Sequence, residues 1–163
     1  MENRQGKLIN RRFYRRALPA CAYLRSVGLG TDRYWPDDGE PLFHCLSRMT
    51  ELGTAAEPYG LKNNLAYYVD GDAERAHQML LKLNVNQRHE AQQAQQALLR
   101  AAKVLTQQAL NTSLPKPAEQ AIAAGKPWRG TVKAATLELT REDWSTGKGY
   151  DLKFLVRPAG QMP

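Results

Sequence analysis

The apolar residues of this chain change period along its length, and that change restricts its possible folds more than any other feature of the sequence. Within 86–110, Ala91, Ala94, Leu98, Ala101, Leu105 and Ala109 recur at threes and fours, the spacing of one helix face. Within 150–156, Tyr150, Leu152, Phe154 and Val156 alternate with Asp151, Lys153 and Leu155, the period of a strand with one face buried. A chain holding both patterns is α+β. Its 163 residues suit one ordinary domain, and 42% apolar against 24% charged residues excludes a wholly disordered or collagen-like chain. No run approaches the roughly 18–20 apolar residues of a membrane span.

Strand character is expected at Leu18–Leu29, at Leu42–Leu52 (whose Leu, Met and Glu also allow a helix) and at Leu65–Val69. Asp38-Gly39 is a hairpin signal. From Asp72 the spacing of Ala76, Met79, Leu80 and Leu83 predicts a helix to Leu83. A longer Gln/Ala-rich helix follows to about Leu110, and a short one over 118–124 ends at Gly125. The alanine stripe of the long helix admits close approach of another helix, in cis or from a second copy. Strands return at Trp128–Leu139 and Tyr150–Val156, paired as a hairpin. The resulting order, β-β-β-α-β-β with a long helical insert between strands 3 and 4, is that of a five-stranded OB-like barrel. The domain reading is a basic arm over 1–17, one OB-like domain over 18–157 with helical segment 72–124, and a tail over 158–163.

Charge is local. The first sixteen residues carry Arg4, Lys7, Arg11, Arg12, Arg15 and Arg16 against Glu2, and the whole chain has a formal net charge of +7. A basic arm and a basic middle segment suit a polyanion, because each cation near a phosphate releases condensed counterions. Aromatic residues sit beside these cations: Trp35 near Arg33, Tyr68 near Lys62, and Trp128 beside Arg129. Such pairs hold single strands by stacking bases while cations track the backbone. The same rings serve equally well as core.

Catalytic motifs are absent. Gly28-Leu29-Gly30 lacks the third glycine of a dinucleotide fingerprint, and Gly125-Lys126 lacks the upstream glycine of a phosphate loop. His44 and Cys45 are adjacent in a strand, so they point to opposite faces and do not share a metal. His77 and His89 stand alone. Cys21 and Cys45 do not make a disulfide framework; they read as reduced thiols filling apolar space in a cytoplasmic protein. The basic start carries too short an apolar stretch, broken by Arg25, for a secretory signal. No cofactor and no metal are expected.

One stretch resembles a known family. Gly39-Glu40-Pro41-Leu42-Phe43-His44-Cys45 and Val69-Asp70-Gly71-Asp72-Ala73-Glu74 resemble the "G-x-P-F/L-x-C" and "V-x-G-x-x-A" steps of the small replication-associated proteins of integrating conjugative elements and related plasmids. The resemblance covers about 65 residues. It implies an OB-like, single-strand-binding role in replication or transfer of a mobile element, and nothing about catalysis.

The sequence therefore reads as a non-enzymatic protein that binds single-stranded DNA or RNA. Arg11, Arg12, Arg15 and Arg16 are the expected arm contacts. Arg33, Lys62, Arg129 and Lys133 are the expected groove cations, and Trp35, Tyr68 and Trp128 the stacking platforms. The alternative is a subunit, adaptor or inhibitor-type protein of a nucleoprotein assembly, docking through the arm and the helix. Self-association or a partner helix is then expected through 86–110, and no membrane partner in either case.

Overall fold

The computed structural model describes residues 18–31, 35–36 and 43–158. The chain opens with a helical turn, α1 (Pro19–Ala22), and a 3-10 turn at Arg25–Val27. The strands are β1 (Trp35–Pro36), β2 (Phe43–Leu46), β3 (Thr50–Leu52), β4 (Asn63–Gly71) and β5 (Ala76–Val85). The helices α2 (Ala91–Leu110) and α3 (Lys116–Ala124) follow, and then β6 (Trp128–Val132), β7 (Ala135–Asp143) and β8 (Tyr150–Arg157).

All eight strands form one antiparallel sheet in the order β1-β2-β4-β5-β8-β7-β6, with β3 also on β4. The α+β class is as expected, but the sheet is open instead of a five-stranded barrel, because the two ends of this order do not pair. Local readings are also corrected: 42–52 is not one strand but holds β2 and β3, parted at 47–49, and 128–139 is not one strand but β6 and the start of β7, parted by a turn at 133–134. Residues 76–85 form a strand, so the helical segment begins at 91 and not at 72. Residues 19–27 are helical turns, started by Pro19 and ended by Gly28 at φ +78°, a backbone angle that suits glycine.

Register fixes what each face carries. Tyr67, Leu81, Phe154, Leu139 and Trp128 lie in one row across β4, β5, β8, β7 and β6. Tyr67, Leu81 and Phe154 are fully buried, and Leu98, Leu105 and Ile122 of the two long helices close over the same face. The alanine stripe of α2 is spent here: Ala94, Ala101 and Ala102 are buried within the chain's own core. Its exposed side carries Gln92, Gln93, Arg100, Lys103, Gln107 and Gln108.

Polar contacts pin the helices to the sheet end. The Tyr150 hydroxyl donates to Gln95 Oε1, and Gln95 Nε2 donates to the Ala123 carbonyl at 2.7 Å. Arg141 lies 3.8 Å from the Tyr150 ring centre and donates to the Gly125 carbonyl at 3.0 Å. Gly125 ends α3 at φ +64°, and an added Cβ would sit 3.0 Å from Gln95 Oε1.

The reading of reduced thiols is overturned. Cys21 and Cys45 are joined by a disulfide, buried at 0% and 1% exposure, tying the helical turns to β2 across a sequence separation of 24. A single pair of cysteines gives no sign of pairing until the fold brings the two segments together. Disulfides persist in oxidising compartments and are rare in the cytosol, so the premise for a cytoplasmic location is removed. Among the described residues, no helix is long and apolar enough to cross a membrane.

Candidate functional site

The helices cover one face of the sheet, and the other face carries a mixed row pattern. On it Lys82 of β5 and Lys153 of β8 are directly opposite each other, between Ala66 of β4 and Thr140 of β7. Opposite side chains on neighbouring strands have Cβ atoms about 4.5–5.5 Å apart, and like charges there repel. No ion pair or hydrogen bond among the described residues reaches either ammonium group. Both side chains are half-buried. Alternation places them: Leu80, Lys82 and Asn84 face one way while Met79, Leu81, Leu83 and Val85 enter the core.

The neighbouring row runs Leu46, Tyr68, Leu80, Leu155, Glu138 and Arg129. Leu46 is 51% exposed, and Tyr68 and Leu80 are half-buried, so this row presents an apolar strip beside the lysines. On its far side Arg157 Nε donates to Gln78 Oε1 at 3.3 Å. On the other flank lie Asn64, Asn84, Asp151 and Glu142. Asp151 is 6% exposed; one carboxylate oxygen accepts from Trp144 Nε1 at 3.5 Å and the other has no partner. Among the described residues, this face thus combines two lysines without an ion pair, an aromatic ring, amide groups and the carboxylates Glu138, Glu142 and Asp151.

The loop before β4 is tied to the segment between β5 and α2. Thr54 donates through its backbone N–H and hydroxyl to the Glu90 carboxylate at 2.8 and 2.7 Å, holding that carboxyl below its ordinary pKa. Gln87 Nε2 donates to the Leu61 carbonyl at 2.8 Å. Tyr59 and Leu61 are left exposed on this loop at 100% and 72%.

The residues singled out in the sequence are dispersed by this fold. Arg11, Arg12, Arg15, Arg16 and Arg33 lie outside the described residues, as does the Asp38-Gly39 turn. Trp35 pairs with His44 at one edge of the sheet, six strand spacings, or about 29 Å, from β6. Lys62 lies 3.3 Å from Glu51. Tyr68 and Arg129 share the uncovered face but stand four strand spacings, about 19 Å, apart, and Arg129 lies 3.7 Å from Glu138. Trp128 is on the opposite, helix-covered face, packed against the core with its ring over Gly130. Lys133 sits in the β6–β7 turn at φ +48° and donates to the Asn111 carbonyl at 3.2 Å.

Sequence reasoning passed over Lys82 and Arg157, and noted Lys153 beside Phe154 without placing it in the site. Reading 76–85 as a strand with period two would have exposed Lys82, since it alternates with buried leucines. Among the described residues, no group of three or more His, Cys, Asp or Glu is placed to hold a metal ion.

No curated protein and no solved structure matches this chain. Residues 7–149, however, match a family described as "Family of unknown function (DUF6030)", and the chain belongs to that family.

Proposed function

We propose that this chain is a non-enzymatic binding domain that lays a single-stranded nucleic acid across the uncovered face of its sheet. The observation that carries the reading is the in-register pair Lys82 and Lys153, neither of which forms an ion pair among the described residues. A phosphate backbone passing over β5 and β8 relieves their repulsion, and Tyr68 in the next row offers a ring for stacking. The net charge of +7 supports attraction of such a strand from solution. A role in replication or transfer of a mobile element, implied by the sequence resemblance, belongs to the same proposal.

The test is anisotropy of a labelled single-stranded oligonucleotide over a salt series, with Lys82→Gln/Lys153→Gln beside the wild type. Two lost phosphate contacts flatten the log–log salt slope by about 1.4. An unchanged slope removes this face from the reading. Equal binding to heparin would make the site one for polyanions in general.

The disulfide favours a second reading, in which the domain is an assembly subunit working in an oxidising compartment. Thiol titration of protein taken under alkylating conditions from its own cells decides between the two locations. Two free thiols return the protein to the cytoplasm; none places it outside.

A further inference from the structure

The two edges of the sheet are built differently. One edge is broken: β1 (Trp35–Pro36) contains a proline, and β2 is separated from the three-residue β3 by Ser47–Met49. There the Ser47 hydroxyl accepts from the Tyr67 backbone N–H at 2.9 Å. Short strands, proline and irregularity of this kind stop a sheet from adding strands. The other edge, β6, has five residues, pairs only with β7 among the described residues, and contains neither proline nor bulge. Its single charge, Arg129, lies 3.7 Å from Glu138 of β7 and is drawn back over the sheet.

We propose that β6 is a docking edge for a second copy of this chain, joined antiparallel about a two-fold axis at Gly130. The residue order is self-complementary in that register. Trp128 comes opposite Val132 of the second copy on the helix-covered face, an aromatic and β-branched pair, and both side chains are half-exposed in the single chain. Arg129 comes opposite Thr131 of the second copy on the uncovered face, so the two arginines do not meet. The contact is isologous and closes at two copies. It uses neither the Lys82–Lys153 pair, three and two strands away from β6, nor the seam of α2, and stands independently of the nucleic-acid reading.

Two substitutions at one exposed position test it with opposite signs. Thr131→Arg sets an arginine opposite Arg129 of the second copy twice per dimer, whereas Thr131→Glu sets a carboxylate there. Sedimentation velocity across a concentration series should show a dimer for the wild type. The dissociation constant should rise roughly tenfold for Thr131→Arg and fall severalfold for Thr131→Glu, with the melting temperature of each protomer unchanged. A wild type that is monomeric at every concentration overturns the proposal. So does a dimer indifferent to both substitutions, since its interface then lies elsewhere. Tightening by Thr131→Glu is decisive even if Thr131→Arg proves poorly folded.

Discussion

The hydroxyl of Tyr67 donates to the carbonyl of Ala20 at 2.8 Å, so one buried ring both fills the centre of the core and ties the first helical turn to the sheet. Burial holds this hydroxyl's pKa far above its ordinary value, and the proton that makes the bond stays in place through alkaline pH. Tyr67→Phe keeps the ring and leaves the Ala20 carbonyl with the Tyr23 N–H, at 3.3 Å, as its remaining donor. Equilibrium urea unfolding should show a loss of about 0.5–1.5 kcal/mol.

The same segment is fixed a second time by Cys21 and Cys45. A bridge across 24 residues constrains the unfolded chain, and Cys21→Ser with Cys45→Ser should cost about 3 kcal/mol. A thermal melt with and without reductant checks this: the wild type should fall to the level of the double variant, and the variant should not respond.

These two contacts also mark where the sequence was legible. Residues 150–156 and 91–110 carry one period each, and both were read in the right state. Gly125 stopped α3 as expected, because the left-handed residue that ends a helix favours glycine. Residues 76–85 fit two periods at once: Ala76, Met79, Leu80 and Leu83 suit a helix face, while Met79, Leu81, Leu83 and Val85 suit a strand. Pairing with β4 and β8 decides between them, and pairing is not local information. The stretch 128–139 read as one strand since its turn, Lys133-Ala134, holds positive φ without Gly, Asn or Asp to announce it. The candidate site scattered for a related reason. Trp35 and Trp128 were grouped by the chemistry of their neighbours, but the sheet order sets them at opposite edges.

Trp128 now has a definite structural expectation. Its ring packs along β6 over Gly130 on the helix-covered side, away from Lys82 and Lys153. Trp128→Ala should lower stability by about 2 kcal/mol, less than a fully buried tryptophan. Binding of oligonucleotide per folded molecule should stay unchanged, measured on the same preparation.

Gly149 lies where no side chain fits. A Cβ there would strike the Val85 carbonyl oxygen and the Trp144 ring, both fixed by the sheet and by the 143–149 turn. Gly149→Ala should destabilise by about 2–3 kcal/mol in chemical denaturation. It should also disturb the Trp144–Asp151 contact, visible as a change in tryptophan fluorescence.

Acid should loosen the β4–β5 hairpin first. Asp72 accepts from the backbone N–H of Glu74 at 2.7 Å and of Arg75 at 2.9 Å, and lies 2.8 Å from His77 Nε2. The Glu74 N–H bond leads in lowering its pKa from 3.8 to about 2, followed by His77 and the Arg75 N–H. A carboxyl with a depressed folded-state pKa stabilises above its unfolded value, and that contribution disappears as pH falls from about 4 to about 2. Asp72→Asn should lack this part of the acid dependence, seen as a smaller shift of the urea midpoint between about pH 5 and about pH 2.5.

The position of β8 in the sheet has a consequence for synthesis. It is the last of the described strands along the chain, yet it lies against β5 and joins the two halves of the sheet. Until it emerges from the ribosome, β5 is an open edge with Met79, Leu81, Leu83 and Val85 all on one side. Its closure depends on residues about 70 positions later, a slow, long-range step. During that interval the nascent chain offers this apolar strand as a template for other chains, and release before residue 150 would leave it so permanently.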